Sequence, residues 1–159
     1  MNWIIKKHDL KVIKGIMDSY NVPNEVAIIM SFYESLDQFD LKRFMFPSIS
    51  NFHNPFLMKG MNKAIERIFN TIESGQRVFI LGDSDADGIS AASLLYEGLK
   101  FFGGEVKVFI PNRQKEGRGL REIHIDQSIS YRCDLLITCD CGMNSFESIE
   151  YANKKSIDV

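Results

Sequence analysis

Three aspartates, Asp83, Asp85 and Asp87, alternate within five residues directly after a short apolar run at residues 78–81. Carboxylates this close raise one another's pKa, so they cannot all ionise comfortably unless a positive charge lies among them. A divalent cation with hard oxygen ligands is the simplest such charge, and Mg²⁺ or Mn²⁺ suits a ligand set made of carboxylates. We therefore predict that this turn is one half of a metal site.

Loops of other protein classes share part of this acidic pattern. Asp83-x-Asp85-x-Asp87-Gly88 matches the opening of a calcium-binding EF-hand loop, but the twelfth position is Leu94 instead of Glu, and a strand precedes the loop. Asp85-Ala86-Asp87-Gly88 resembles the Asp-x-Asp-Gly of haloacid-dehalogenase-type phosphatases, although residues 82–84 separate it from the strand. A structural turn with solvated acids stays open as the alternative to a metal site.

A fourth carboxylate, Asp140, follows another apolar run at residues 134–139 and is itself followed closely by Gly142. A carboxylate at the end of a strand can reach a crevice shared with a neighbouring strand. An ordinary Asp near a helix start is the alternative. Cys139 and Cys141 flank Asp140, but a structural zinc site needs four ligands, so we do not expect zinc.

The third candidate stretch, residues 111–120, is basic and contains two glycines. Arg113, Lys115 and Arg118 bring local positive charge to it, and Arg121 follows directly. Arginine binds phosphate through paired donors, and glycine permits close backbone approach to an anion. A solvated basic loop is equally compatible with the residues alone.

The elements that would position these residues alternate between strand and helix. Residues 77–81, 106–110 and 134–139 are predicted strands, residues 61–72, 89–102, 121–128 and 144–155 are predicted helices, and residues 157–159 begin a fourth strand. Such alternation predicts a parallel sheet with helices on both faces. Residues 1–58 are predicted to form a helical and irregular N-terminal segment, and residues 59–159 the α/β domain. If strands one and three are neighbours, Asp140 and the acidic turn share one edge.

Composition limits the class of protein. The chain has 159 residues, a formal net charge of -2 and 45% hydrophobic residues, which suffices for one sizeable core but gives no global basic signature. No apolar run is long enough for a membrane helix, so no membrane partner is expected. Its three cysteines are an odd, clustered set, typical of a reduced, cytoplasmic protein.

The motifs together resemble those of the DHH phosphoesterases, and most closely those of RecJ-like single-strand-specific exonucleases. They are residues 82–88, Ile110-Pro111-Asn112-Arg113 with residues 116–120, and Cys139-Asp140-Cys141-Gly142, in that order. Residues 54–57 and 61–68 also resemble the segment that precedes the catalytic domain in RecJ proteins. The resemblance implies a Rossmann-like domain and a hydrolase with two Mn²⁺ or Mg²⁺ ions, which degrades single-stranded DNA from the 5′ end in DNA repair and recombination.

The same resemblance implies roles for individual residues. Asp83, Asp85, Asp87 and Asp140 would be metal ligands, with Asp85, Asp87 and Asp140 catalytic. Asn112, Arg113 and Arg118 would be the substrate-binding residues, with Asn112 and Arg113 facing the substrate's phosphates. Arg118 and Ser84 stand where the family usually has Tyr.

The family's Asp-His-His motif and its later substrate-binding domain have no counterpart in these residues. We therefore expect the N-terminal part of a RecJ-like protein, with little or no nuclease activity alone. Expected partners are single-stranded DNA, the missing C-terminal half or a single-strand-binding protein. Two alternatives stay open: a DHH phosphodiesterase for short oligonucleotides or cyclic dinucleotides, and a non-catalytic scaffold that binds DNA or protein.

Overall fold

The computed structural model describes residue 7, residues 9–33 and residues 38–159, apart from the side chains of residues 38–40. The chain divides into two compact units, Met1–Leu57 and Met58–Val159. Residues 1–6, 8 and 34–37 of the predicted N-terminal segment lie outside the described residues. No helix among the described residues combines the length and the apolar character needed to span a membrane.

The first unit is helical, as predicted. It contains α1 (Leu10–Tyr20), α2 (Asn24–Met30) and α3 (Gln38–Met45), followed by two short 3₁₀ turns. Helix α1 begins where Asp9 accepts a hydrogen bond from the backbone N–H of Lys11 at 2.8 Å, which satisfies one of the free donors of the first turn. The buried side chains of this unit come from all three helices: Ile13, Ile16, Ala27, Met30 and Leu41.

The second unit has the predicted α/β architecture. In chain order its elements are α4 (Met61–Glu73), β1 (Arg77–Gly82), α5 (Ala86–Phe101), β2 (Glu105–Phe109), α6 (Arg113–Glu116), α7 (Glu122–Ser130), β3 (Leu135–Cys139) and α8 (Phe146–Lys154). The three strands are parallel and follow the order β2-β1-β3.

Helices cover both faces of this sheet, as predicted. Successive side chains of a strand point to opposite faces, and β1 accordingly sends Val78 and Ile80 into one core and Phe79 and Leu81 into another. The first core includes side chains of α4 and α5, and the second includes side chains of α7 and α8. Because both faces are covered, residues 78–81 are buried and apolar without alternation.

The strand order reverses at β1. The chain runs from β1 through α5 to β2 on one side, and then crosses through α7 to β3 on the other. Ligands of open α/β sheets bind beyond the carboxyl ends of the strands at such a point. The predicted neighbours, strands one and three, are therefore adjacent at the edge where a site is expected.

Two helix starts differ from the sequence-based prediction by two residues or more. Helix α5 begins at Ala86, three residues before the predicted start, because the Asp85 side chain caps it. Helix α8 begins at Phe146 after Ser145, two residues after the predicted start at residue 144. The predicted fourth strand is present as a single parallel bridge between Leu135 and Asp158.

Candidate metal centre

The turn after β1 is tightly built. The backbone N–H of Asp83 donates to the carbonyl oxygen of Cys139 at 3.1 Å, which extends the pairing of β1 with β3 beyond the last residue of β1. A Cβ atom on Gly88 would lie 2.4 Å from the carbonyl oxygen of Asp83, closer than real Cβ atoms approach backbone. Glycine at position 88 is thus required for the start of α5 to lie against the end of β1.

The three carboxylates of this turn have different surroundings. Asp83 is buried, and its Oδ1 accepts a hydrogen bond from the Ser84 N–H at 2.6 Å. Asp85 is half-buried and uses its Oδ1 to accept from the Gly88 N–H at 3.2 Å. Asp87 is exposed in the first turn of α5, where its negative charge favours the positive end of the helix dipole. The alternating acids therefore begin a helix as well as forming a cluster.

Asp140 joins these carboxylates from the end of β3. Its backbone is left-handed, with a φ of 60°, a conformation that non-glycine residues seldom adopt and Asp tolerates better than most. The pKa of the Asp140 carboxyl is raised above its usual range by local desolvation and by the negative charges of Asp85, Asp87 and Asp83. The predicted convergence of the acidic turn and Asp140 at one edge of the sheet is what the strand order produces.

Arg113 places a positive charge among these acids. Its Nη2 lies 3.4 Å from Asp83 Oδ2 and 3.7 Å from Asp85 Oδ2. The resemblance implies a phosphate-facing role for Arg113 and does not indicate this contact with Asp83 and Asp85. The order of the elements could have indicated the contact. Arg113 follows strand two and the acids follow strand one, and residues that follow neighbouring parallel strands lie at the same edge of the sheet.

The rest of the basic stretch also lies at this edge. Asn112 caps the short helix α6, with its Oδ1 accepting from the N–H groups of Gln114 and Lys115 at 3.1 and 3.4 Å. The position of a Cβ on Gly119 is 3.2 Å from the carbonyl oxygen of Cys141, so this loop lies against the residues that follow β3. Arg118 is exposed and forms no ion pair within the part of the chain that the structure describes.

The Cys141 thiol, next to Asp140, is turned towards backbone carbonyl groups. The Cys141 thiol donates to the carbonyl oxygen of Cys139 at 3.3 Å and lies 3.6 Å from that of Leu81. Burial, together with the nearby charge of Asp83, raises the pKa of Cys141 to about 11.

The ligand types at this edge fit a hard divalent cation, because four carboxylates converge there. Their present orientation does not: among the described residues, no group of three or more His, Cys, Asp or Glu side chains is placed so as to hold a metal ion. Arg113 lies against two of the four carboxylates, those of Asp83 and Asp85.

Comparison with known proteins gives consistent matches. A family model described as "DHH family, N-terminal domain" matches residues 77–159. The chain is 31% identical over 161 aligned positions to the single-stranded-DNA-specific exonuclease RecJ of Bacillus subtilis (strain 168), covering 100% of this chain and 20% of that protein. It is also 31% identical over 103 residues to the RecJ of Escherichia coli (strain K12), covering 64% of this chain and 18% of that protein.

Solved structures show the same relationship. A crystal structure of exonuclease RecJ bound to manganese matches with a TM-score of 0.58 and 29% identity, covering 63% of this chain and 26% of that one. RecJ from Thermus thermophilus in complex with Mn²⁺ matches in fold with a TM-score of 0.58 and 23% identity, covering 94% of this chain and 20% of that one. The chain spans about a fifth of the length of the curated relatives described above.

Proposed function

This chain belongs to the DHH family through that family's N-terminal domain, and from this membership we propose that it forms the first part of a metal-dependent phosphodiesterase of RecJ type. The proposed substrate is single-stranded DNA, hydrolysed from the 5′ end. The proposed cofactor is a pair of divalent ions, Mn²⁺ or Mg²⁺. Such an activity would serve DNA repair and recombination in the cytoplasm.

The observation that carries the proposal is the meeting of two acidic segments at the switch point of the sheet. β1 and β3 are hydrogen-bonded neighbours, with Gly82 opposite Cys139, so the residues that follow each strand emerge side by side. Asp83, Asp85 and Asp87 follow β1, and Asp140 follows β3. These four are the proposed metal ligands.

The rest of the edge suits a phosphodiester substrate. Divalent ions bound here would lower the pKa of a water molecule and neutralise charge that builds up on the phosphate. Arg113 and Arg118, with Asn112 between strand and helix, supply the hydrogen-bond donors and positive charge that phosphate oxygens require. Asp83 is the most buried of the four acids, which is compatible with a role as a metal ligand or as a residue that holds a ligand in place.

A second proposed partner is the polypeptide that continues the sheet beside β3. Leu136 donates from its N–H to the carbonyl oxygen of Asp158 at 2.8 Å, so the outer edge of β3 already accepts a parallel segment at one position. A groove of about 520 Å³ lies along this edge, lined by α4 residues such as Ala64 and Ile68 and by residues 135–138 of β3. An added strand would pair with β3 and fill this groove.

Calorimetric titration with Mn²⁺ tests the metal site. We expect the chain to bind Mn²⁺ weakly, and Asp140→Asn to abolish that binding, since the substitution removes a charge without touching the cap of α5. A matched control is Asp126→Asn on α7, whose carboxylate accepts from the Tyr151 hydroxyl and lies outside the acidic cluster. Equal binding by all three proteins would contradict the assignment of Asp140.

Incubation with 5′-labelled single-stranded DNA and Mn²⁺ tests whether the site is complete. We expect no processive shortening by this chain alone, because the second half of the family's ligand set is absent from these residues. Robust digestion would show that the residues present suffice for catalysis.

Binding of single-stranded DNA tests the phosphate role. Affinity should fall as salt rises, because contacts with phosphates release counterions. Arg118→Ala should weaken binding, whereas Lys154→Ala should not, since Lys154 lies in the last turn of α8 beside Glu150. If the affinity for single-stranded DNA changes neither with salt nor in Arg118→Ala, the basic stretch does not contact the DNA.

A further inference from the structure

The surroundings of Arg113 carry an inference that deepens the proposed function and rests on its metal site. We propose that Arg113 is a built-in counter-cation of the acidic turn: it neutralises Asp83 and Asp85 when no metal is bound, and it must withdraw before a divalent ion can bind.

The two carboxylates present the same kind of oxygen to Arg113. Each uses its Oδ1 for a backbone N–H, from Ser84 for Asp83 and from Gly88 for Asp85. The Oδ2 atoms are left, and both face Arg113 Nη2, at 3.4 and 3.7 Å. These are the carboxylate oxygens without a backbone donor, so an incoming cation that binds through them competes with Arg113.

The hold of Arg113 on these oxygens is loose. Charge-assisted hydrogen bonds between guanidinium and carboxylate are typically about 2.7–2.9 Å long, and both distances here are greater. The Arg113 Nε is buried and has no hydrogen-bond partner among the described residues. A buried donor without a partner costs free energy, so this position is held by charge attraction and can be given up when a stronger cation arrives.

Withdrawal would also turn Arg113 towards its proposed substrate. A divalent ion among the carboxylates neutralises them and repels the guanidinium. The freed donors would then lie beside the ion at which the phosphate of the DNA binds. Metal binding and phosphate binding would be coupled through this one side chain, so that Arg113 acts as a positioning residue whose place depends on the metal.

Mn²⁺ binding by calorimetry at low ionic strength tests the competition. Arg113→Gln removes the competing charge, so we expect it to bind Mn²⁺ about tenfold more tightly than the unaltered chain. The thermal midpoint of metal-free Arg113→Gln should be lower, because Asp83 and Asp85 then repel each other without a counter-charge, and Mn²⁺ should restore it. Lys115→Gln is the matched control: it removes one positive charge from an exposed side chain of the same short helix and should leave both values unchanged.

A measurement on the unaltered chain gives an independent readout. The Arg113 Nε–H should give a protected signal in ¹⁵N–¹H spectra of the metal-free protein, because the atom is buried. Saturating Mg²⁺ should make that signal exchange rapidly with water as the side chain withdraws. A signal that stays protected in the Mg²⁺-bound protein would overturn the proposal even if Arg113→Gln did not fold.

The outcomes distinguish failure of the Arg113 proposal from failure of the proposed metal site. Mn²⁺ affinity in Arg113→Gln that equals or falls below that of the unaltered chain overturns the role of Arg113 and leaves the metal site standing. If none of the three proteins binds Mn²⁺, the metal site itself is overturned, and the competition with it.

Discussion

Single side chains at the acidic edge serve two purposes at once. Asp85 caps helix α5 with one oxygen and presents the other to Arg113. Asp83 divides its oxygens in the same way between Ser84 and Arg113. The stability of the turn and its capacity to bind a cation therefore depend on the same residues, but on different atoms of them.

Substitutions at Asp85 distinguish its role as the cap of α5 from its role in cation binding. Asp85→Ala removes the cap and should lower the free energy of unfolding by about 1 kcal/mol, whereas Asp85→Asn keeps an oxygen for the Gly88 N–H and should lose only a fraction of that. Both should lose Mn²⁺ binding. Urea unfolding measures the first effect and calorimetry the second. Equal destabilisation by the two variants would show that the cap does not contribute.

His124 should make stability depend on pH. It is fully buried at the start of α7, where its Nδ1 accepts from the Arg121 N–H at 3.2 Å. Burial lowers its pKa; the charge of Glu116 opposes this and that of Arg121 adds to it. As pH falls below about 6.5, the unfolded chain gains a proton that the folded protein does not take up until its lower pKa is reached. Stability should therefore decrease across that interval.

His124→Asn provides the comparison, because its side-chain oxygen can still accept from the Arg121 N–H but does not titrate. Urea unfolding on either side of about pH 6.5 should show a smaller acid-side loss for this variant. An unchanged loss would assign the pH dependence to other groups.

At the scale of elements, the corner between β1 and α5 determines where the acids lie. Gly82 and Gly88 allow the helix to begin against the end of the strand, with Cβ positions only 2.9 Å from Ala92 Cβ and 2.4 Å from the Asp83 carbonyl oxygen, respectively. The close approach directs Asp85 and Asp87 to the same edge as Asp140. This corner is the part of the fold on which the site depends most.

Two glycine substitutions in α5 should have opposite effects. Gly88→Ala places a Cβ against the backbone of Asp83 and should lower the free energy of unfolding by about 1–3 kcal/mol. Gly98→Ala meets no atom within 4 Å and should raise it by up to about 1 kcal/mol, because Ala is the better helix former. Urea unfolding of both variants is the measurement. Equal changes in the free energy of unfolding for the two variants would contradict the close packing of Gly88 against the Asp83 backbone.

At the scale of the whole molecule, the β3 edge of the sheet is only partly paired. Asp158 pairs with β3 at its first residues, through hydrogen bonds with Leu136 and Asp134. Backbone groups of alternate residues in a strand point to the same side, so the N–H of Thr138 faces the outer edge as that of Leu136 does. An open edge of this kind favours pairing with another strand or aggregation.

Hydrogen exchange of residues 135–139 should show this asymmetry in the isolated chain. The amide of Ile137 faces β1 and should exchange slowly, whereas the amide of Thr138 faces the outer edge and should exchange quickly. Slow exchange at Thr138 in a dilute, monomeric sample would show that the edge is already covered. A polypeptide that continues the sheet should slow Thr138 and leave Ile137 unaffected.

Much of this architecture follows from local patterns. The helical spacing of Met61, Ile65, Ile68 and Ile72 and the apolar run at residues 78–81 predicted α4 and β1, because burial of one face or of a whole strand leaves a periodic trace in the chain. The starts of α5 and α8 were predicted less well, since a cap depends on which side chain reaches a backbone N–H, and several polar residues near each start could do so.

Residue types and spacing already indicated which residues could do chemistry here and that they would lie at one edge of a parallel sheet, because strands alternate with helices and the residues that follow parallel strands emerge at the same edge. That β1 and β3 are neighbours, so that Asp140 meets Asp83, Asp85 and Asp87, is a result of the tertiary fold. The individual role of each carboxylate also became visible only in the folded chain. The contact of Arg113 with Asp83, the capping of α5 by Asp85 and the left-handed backbone of Asp140 depend on distances of a few ångströms between segments far apart in the chain, and residue spacing does not encode those distances.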